Sequence, residues 1–207
     1  MVAAMDEVML QKCINVGLRM TSQREAIAKA LDQSNDHPDA ELLYERANKI
    51  DSTINLLVID LGLGVISISS FLKNKGVVKG DRVMLVSEGR PEWMISDLAI
   101  LGTGAITVPN YTTYTQKDFE FVLSDCQPKG LIVSNKKLYK TILDAANKIN
   151  FSFEFIIGFE TINNTVDFQN INNGSDNINC KCNRKDPACI IYTSGTQGTA
   201  KGVVLSH

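Results

Sequence analysis

The residues best suited to chemistry form a short polar stretch near the end of the sequence, directly after the apolar run 190–192. Residues 193–202 contain four hydroxyl side chains, three glycines and one lysine, Lys201. Glycine lets the backbone take positive φ and approach a ligand closely, and consecutive backbone N–H groups can then bind an anion. Hydroxyls add neutral donors, and a lysine adds a point charge suited to phosphate. The stretch therefore predicts a loop that binds an oligophosphate.

The spacing distinguishes this loop from two common nucleotide motifs. A P-loop has the pattern G-x-x-x-x-G-K-[ST], whereas Lys201 follows Ala200 and precedes Gly202. The pattern G-x-G-x-x-G does not fit the loop either. A glycine-rich turn between two strands is the simpler alternative. The preceding Tyr-Thr-Ser-Gly-Thr segment and the offset of the lysine favour phosphate binding over that alternative.

The order of residues in this loop is similar to that of a known family. Residues 192–203 read Tyr-Thr-Ser-Gly-Thr-Gln-Gly-Thr-Ala-Lys-Gly-Val and resemble the phosphate-binding signature of the acyl-adenylate-forming enzymes, the AMP-binding ligase superfamily. The family usually has threonine at Gln197 and proline at Ala200, and neither change removes a glycine, a key hydroxyl or the lysine. Four upstream segments resemble the start of long-chain acyl-CoA synthetases in order and spacing: 80–83, 90–93, 104–109 and 111–113. The resemblance covers about residues 58–207.

The resemblance implies a function. It implies an ATP-dependent fatty acid–CoA ligase, which forms an acyl-adenylate and then acyl-CoA, using ATP, Mg²⁺ and coenzyme A. It also implies that six residues hold the β- and γ-phosphates of ATP: Thr193, Ser194, Gly195, Thr196, Gly198 and Lys201. The family's adenine pocket, acyl tunnel and catalytic C-terminal domain come after the position of His207. We therefore expect an incomplete enzyme with no catalytic residue of its own and no activity alone. A non-catalytic nucleotide-phosphate binder is a further hypothesis for this part of the chain.

The first 55 residues resemble a different family. Segments 17–24, 36–47 and 50–54 are similar to the N-terminal DNA-binding domain of the ferric uptake regulator family. A regulator fragment is therefore the alternative function. The resemblance ends where that family begins its recognition helix, whose side chains read the base edges, so sequence-specific DNA binding is not expected. We expect a helical segment over residues 1–55 and a ligase portion over 56–207. The two resemblances meet near residues 54–58. A gene fusion by deletion and a faulty assembly of sequence reads would both produce such a junction.

His37 lies where the regulator family has a metal ligand. The partner histidines and glutamates of that site come from a later domain, and a lone histidine is a poor metal site. We expect a solvated loop histidine and no metal site in this chain.

Composition narrows the class of protein further. The chain has 207 residues, 44% of them hydrophobic, and a net charge of −2 from 21 basic and 23 acidic residues, so no global field attracts nucleic acid or an anionic membrane. Its first ten residues do not form a secretory signal, and no apolar run reaches the roughly 18 residues of a membrane helix. The five cysteines are scattered, which favours reduced thiols and a cytoplasmic protein.

The pattern of elements predicts an α/β fold: the parallel-sheet N-terminal portion of an adenylate-forming ligase, incomplete, preceded by a short all-α segment. Before residue 55 we expect helices, one N-capped by Ser22 with Glu25 at capping-box spacing and one capped by Asp39. From residue 61 onward, short apolar strands alternate with helices, which is typical of a sheet covered on both faces. The expected strands are 82–86, 105–109, 130–134, 153–157 and 188–193, the expected helices are 61–74, 91–101, 115–124 and 138–149, and residues 160–187 are expected to form a surface loop.

Overall fold

The chain forms two compact units, Met1–Leu63 and Gly64–His207. The computed structural model describes residues 8–15, 20–34, 40–52, 56–171, 182–194 and 200–207. The boundary expected at residues 55/56 stays a prediction. Across these described ranges, no helix is both long enough and apolar enough to cross a membrane.

The first unit contains three helices within its described residues, α1 (Val8–Asn15), α2 (Ser22–Asp32) and α3 (Ala40–Ile50), and the start of α4 (Leu56–Asn74). Its core is small, because alanines supply most of it: Ala26, Ala30, Leu43 and Ala47. The carboxylate of Asp32 accepts hydrogen bonds from the backbone N–H groups of Met9 and Leu10, at 2.8 and 3.4 Å. Such a bond satisfies donors that the first turn of a helix leaves without partners.

The start of α2 differs by one residue from the expectation. Thr21, not Ser22, is the N-cap, and its hydroxyl accepts a hydrogen bond from the backbone N–H of Arg24 at 3.4 Å. Thr21 has the extended backbone that an N-cap requires, whereas Ser22 is already helical. His37 and the expected cap Asp39 lie outside the described residues.

The second unit alternates strands and helices as the sequence predicts. Its elements after α4 are β1 (Arg82–Val86), α5 (Pro91–Gly102), β2 (Ile106–Asn110), α6 (Gln116–Cys126), β3 (Gly130–Val133), α7 (Lys136–Lys148) and β4 (Phe155–Gly158). Pro91 occupies the first turn of α5, where its missing N–H costs nothing. Thr115 caps α6 in a full capping box with Asp118. The predicted helix and strand ends differ from these bounds by at most a few residues.

Three further described strands follow β4: β5 (Val166–Asp167), β6 (Pro187–Ser194) and β7 (Ala200–Ser206). The described strands form one seven-stranded sheet in the order β5-β4-β3-β1-β2-β6-β7. All neighbouring pairs are parallel except β6 (Pro187–Ser194) and β7 (Ala200–Ser206). That final pair is antiparallel because only residues 195–199 connect the two strands, and a parallel connection needs a crossover of a dozen or more residues.

Side chains alternate between the two faces of the sheet, and helices cover both. On one face, Met84 and Val86 pack with residues of α6 and α7. On the other face, Val83 and Leu85 pack with residues of α4 and α5. These four side chains of β1 have no exposed surface, and burying each contributes about 1.5–3 kcal/mol. The predicted α/β fold with a parallel sheet covered on both faces is confirmed.

The prediction of a surface loop over residues 160–187 is wrong for part of that range. Strand β5 (Val166–Asp167) pairs with β4 at the edge of the sheet, and a 3₁₀ turn follows at Phe168–Asn170. The ring of Phe168 is buried and packs edge-on against Phe159, with ring centroids 4.9 Å apart. One buried aromatic in a polar segment leaves no periodic pattern, so the sequence alone did not indicate this element. Residues 172–181 lie outside the described part.

Candidate functional site

The hairpin of β6 and β7 holds the two ends of the predicted phosphate loop. Thr193 pairs with Lys201 across the hairpin, and Ser194 pairs with Ala200. Directly opposite residues in an antiparallel pair have Cβ atoms about 4.5–5.5 Å apart and point to the same face. Thr193 and Lys201 are both exposed. A hydroxyl and an ammonium group therefore flank the mouth of the loop on one face.

The structure reaches only some of the six predicted site residues. Thr193 and Lys201 are brought together as described, and Ser194 is the last residue of β6. Gly195, Thr196 and Gly198 lie outside the described residues. The described donors are a hydroxyl and an ammonium group, which is the donor set that a phosphate oxygen accepts from.

The local sequence explains why the two flanking segments are strands. Cys189–Tyr192 and Val203–Leu205 are apolar and rich in β-branched residues, which favour strands. β6 also pairs with β2 through Thr107 and Cys189. The hairpin is therefore continuous with the parallel sheet, and the loop begins at the carboxyl end of β6, the edge at which α/β sheets bind ligands.

Tyr192, the residue before the predicted loop, is 2% exposed. Both its phenol and its backbone carbonyl have a hydrogen-bond partner. Its phenol donates a hydrogen bond to Oδ2 of Asp125 in α6 at 2.6 Å. Its backbone carbonyl accepts a hydrogen bond from the hydroxyl of Tyr114 at 3.2 Å. Burial raises the pKa of Tyr192 above its usual value, and the bond to Asp125 raises it further. The phenol therefore stays protonated and remains a donor at neutral pH.

Sequence reasoning did not single out Tyr114 or Asp125. The available signal is the phenol of Tyr192 at the end of an apolar strand, because a buried tyrosine hydroxyl usually has a hydrogen-bond partner. That signal says that a partner exists and does not identify it.

Gly202 faces Tyr192 across the hairpin and leaves room for its ring. A Cβ atom added at Gly202 would lie 3.1 Å from Cγ2 of Ile190 and 3.3 Å from two ring carbons of Tyr192. A side chain here would require these neighbours to shift. The third glycine of the loop stretch thus serves packing as well as the predicted approach of a ligand.

A cleft of about 290 Å³ lies beside the hairpin and is lined by residues of β1, α6, β6 and β7, among them Arg82 and Cys126, and by Gln127, which follows α6. Arg82 donates to the carbonyls of Cys126 and Gln127 at 2.8 and 3.1 Å, so its guanidinium holds the end of α6. Burial raises the pKa of the Cys126 thiol to about 11. Because only the thiolate is an effective nucleophile, this cysteine does not suit nucleophilic catalysis at neutral pH.

Within the described part of the chain, no group of three or more histidine, cysteine, aspartate or glutamate side chains could hold a metal ion. A magnesium ion that accompanies a nucleotide is bound mainly through phosphate oxygens, waters and one or two carboxylates.

Comparison with known proteins assigns the class. The family described as AMP-binding enzyme matches residues 28–207, so the chain belongs to that family. Among curated relatives, a long-chain-fatty-acid–CoA ligase of Mycobacterium tuberculosis is 30% identical over 153 residues, which are 70% of this chain and 24% of that protein. The chain spans about a quarter of the length of the first curated relatives it matches.

Solved structures support the same assignment. An anthranilate CoA ligase in complex with anthranoyl-AMP has a TM-score of 0.63 at 25% identity, covering 71% of this chain and 28% of that one. ATP-bound MatB from Rhodopseudomonas palustris has a TM-score of 0.59 at 25% identity, covering 71% and 29%. The predicted fold of an adenylate-forming ligase is confirmed by these likenesses.

The alternative function, a regulator fragment, has no support in these comparisons. The family match begins at residue 28, inside the segment that resembles the ferric uptake regulators. The expectation that sequence-specific DNA binding is absent stays a prediction.

Proposed function

We propose that this chain supplies the ATP-phosphate site of a fatty acid–CoA ligase. The observation that supports this most directly is the hairpin register, which places Lys201 opposite Thr193 at the mouth of the glycine-containing loop. Membership of the AMP-binding enzyme family makes ATP, with Mg²⁺, the ligand of choice for that loop.

The six loop residues have distinct parts in this proposal. Thr193, Ser194 and Thr196 donate hydroxyl hydrogen bonds, Gly195 and Gly198 allow backbone N–H groups to approach, and Lys201 supplies the positive charge. In this reaction class, ATP and a fatty acid give an acyl-adenylate and pyrophosphate, and coenzyme A then displaces AMP. Negative charge grows on the departing pyrophosphate, and donors already aligned with it stabilise that charge as it develops.

The fatty-acid specificity rests on one kind of relative. A long-chain-fatty-acid–CoA ligase is among the curated relatives, whereas the solved structures include a ligase for anthranilate. We infer a long-chain fatty acid and coenzyme A as the co-substrates of the complete reaction. We also place the protein in the cytoplasm, since the four cysteines in the described ranges are free thiols, as expected in a reducing compartment.

Binding of ATP to the 207-residue chain tests the proposal. Hydrogen exchange with and without ATP–Mg²⁺ should show slower exchange of the amides between Thr193 and Lys201, and Lys201→Ala should remove that protection. Lys140→Ala is the matched control, because Lys140 is an exposed lysine in α7, outside the hairpin. Protection that survives Lys201→Ala, or that Lys140→Ala removes equally, would contradict the assignment of the loop.

Turnover is a separate expectation. Because the chain corresponds to about a quarter of the length of its relatives, we expect it to bind ATP without releasing pyrophosphate when palmitate and coenzyme A are supplied. Pyrophosphate release by the purified chain would show that it contains a complete ligase site.

A further inference from the structure

Near its carboxyl end, the strand that leads into the loop makes side-chain hydrogen bonds to a distant part of the chain through Tyr192. The residue is nearly fully buried. Its phenol donates a hydrogen bond to Asp125 in α6, and its backbone carbonyl accepts one from Tyr114, between β2 and α6. Asp125 is 67 positions away in sequence, and Tyr114 is 78 positions away. These bonds therefore tie the end of β6 to a distant part of the chain.

The side chain of Tyr192 is oriented by three neighbours. Asp125 accepts from its phenol, the ring of Phe121 packs edge-on against it with centroids 6.0 Å apart, and Gly202 leaves space for it on β7. The ring contact and the hydroxyl bond together restrict the orientation of the Tyr192 side chain, and through it the position of its Cα.

The backbone of Tyr192 is oriented separately. Tyr114 donates to its carbonyl, and the Tyr114 ring is itself held edge-on between Tyr111 and Phe119, at centroid distances of 5.5 and 5.8 Å. The peptide between Tyr192 and Thr193 is thereby held close to the carboxyl end of β6, two residues before the strand ends at Ser194.

We propose that Asp125 and Tyr114 are positioning residues for ATP, acting through Tyr192 to hold the end of β6, where Thr193 lies opposite Lys201. This inference rests on the proposed function of the 193–202 loop. Groups that bind a ligand must be held within about 0.5 Å of the productive geometry by the residues behind them. Neither Asp125 nor Tyr114 needs to touch the nucleotide to affect its binding.

The test compares the affinity for ATP–Mg²⁺, by calorimetry on the 207-residue chain, with the thermal midpoint of each variant. Tyr114→Phe and Asp125→Ala each remove one hydrogen bond to Tyr192 and should weaken ATP binding about three- to tenfold, the equivalent of one hydrogen bond. Asp125→Asn keeps an oxygen acceptor and should restore most of the affinity.

A matched control separates positioning from general stability. The hydroxyl of Tyr139 donates to a backbone carbonyl, that of Asn163, in the same unit at 3.5 Å. Tyr139→Phe therefore removes the same kind of bond away from the hairpin and should leave ATP affinity unchanged. If Tyr114→Phe and Tyr139→Phe change affinity equally, or if Asp125→Asn binds no better than Asp125→Ala, the positioning role is wrong.

The outcome for Lys201→Ala distinguishes the two levels of the proposal. If Lys201→Ala abolishes ATP binding while Asp125→Ala and Tyr114→Phe bind like the wild type, the loop assignment stands and this inference fails. If the wild-type chain binds no ATP, the proposed function fails and this inference fails with it. Asp125 is exposed, so its variants are expected to fold even if Tyr114→Phe does not.

Discussion

The two units differ in what holds them together. The core of Met1–Leu63 is made largely of alanines between helices, whereas that of Gly64–His207 contains sheet residues of β1 and β3 covered on both faces. Apolar area removed from water is the dominant stabilising term, and alanine contributes little of it. The comparison indicates that the second unit is the more stable part and that it positions the candidate site.

Truncating a core leucine in each unit gives the largest expected difference. Leu85 and Leu43 are both buried, and Leu→Ala in a core costs about 2–5 kcal/mol. Trp93 is the only tryptophan and packs against the second core, so its fluorescence reports that unit. Leu85→Ala should lower the denaturant midpoint of the Trp93 signal, and Leu43→Ala should lower mainly the helical circular dichroism. Equal shifts of the Trp93 midpoint in both variants would break the comparison.

The second unit should also lose stability at high pH because of Cys126. Burial raises the pKa of this thiol from its ordinary 9.0 to about 11. The unfolded chain therefore loses the proton first as pH rises. The contribution of the Cys126 thiol to the free energy of unfolding is complete below pH 9 and is lost as the pH rises through 11. It amounts to at most about 3 kcal/mol, for a pKa difference of two units.

Unfolding is followed by Trp93 fluorescence at pH 7.5 and near pH 11, in the wild type and in Cys126→Ala. The difference between the two proteins in the stability lost over this interval measures the contribution of the thiol. The variant should lose less stability than the wild type over this interval. An identical pH dependence in both proteins would show that another group is responsible.

Two glycines, one in each unit, should respond in opposite directions to alanine. A Cβ at Gly130 in β3 would overlap the ring of Phe155, whereas a Cβ at Gly62 in α4 meets no atom within 4 Å. Gly130→Ala should destabilise by about 1–3 kcal/mol through overpacking, and Gly62→Ala should stabilise by about 0.5–1 kcal/mol. Thermal unfolding of both variants checks the signs, and a neutral Gly130→Ala would mean that the ring can move aside.

Helix caps provide the smallest expected difference. Thr115 and Asp118 bond reciprocally at the start of α6, while Thr21 makes one bond at the start of α2. Thr115→Ala should cost about 1 kcal/mol and Thr21→Ala less. Urea unfolding monitored by circular dichroism compares them, with Ser as the replacement that should restore each cap. A larger loss of stability from Thr21→Ala than from Thr115→Ala would contradict the expectation that the cap of α6 contributes more than the cap of α2.

Much of the fold was predictable because its signals are local. Strand β1 occupies Arg82–Val86, as predicted, since a short apolar run between turn residues has few other solutions. Strand β5 was missed because its two residues and the buried Phe168 lie in a polar segment. The cap at Thr21 was misplaced by one residue because Thr21 and Ser22 have equivalent hydroxyls, and only the backbone angles separate them.

By itself, the sequence determined the alternation of helices and strands from β1 to β4, the glycines, hydroxyls and lysine of the loop, and the resemblance to adenylate-forming ligases. Each of these depends on neighbouring residues or on their spacing along the chain. Only the tertiary structure decided that Lys201 lies opposite Thr193 and that Tyr192 bonds to Asp125. Those features join residues on different elements, and no local pattern in the sequence encodes which residues of two elements meet.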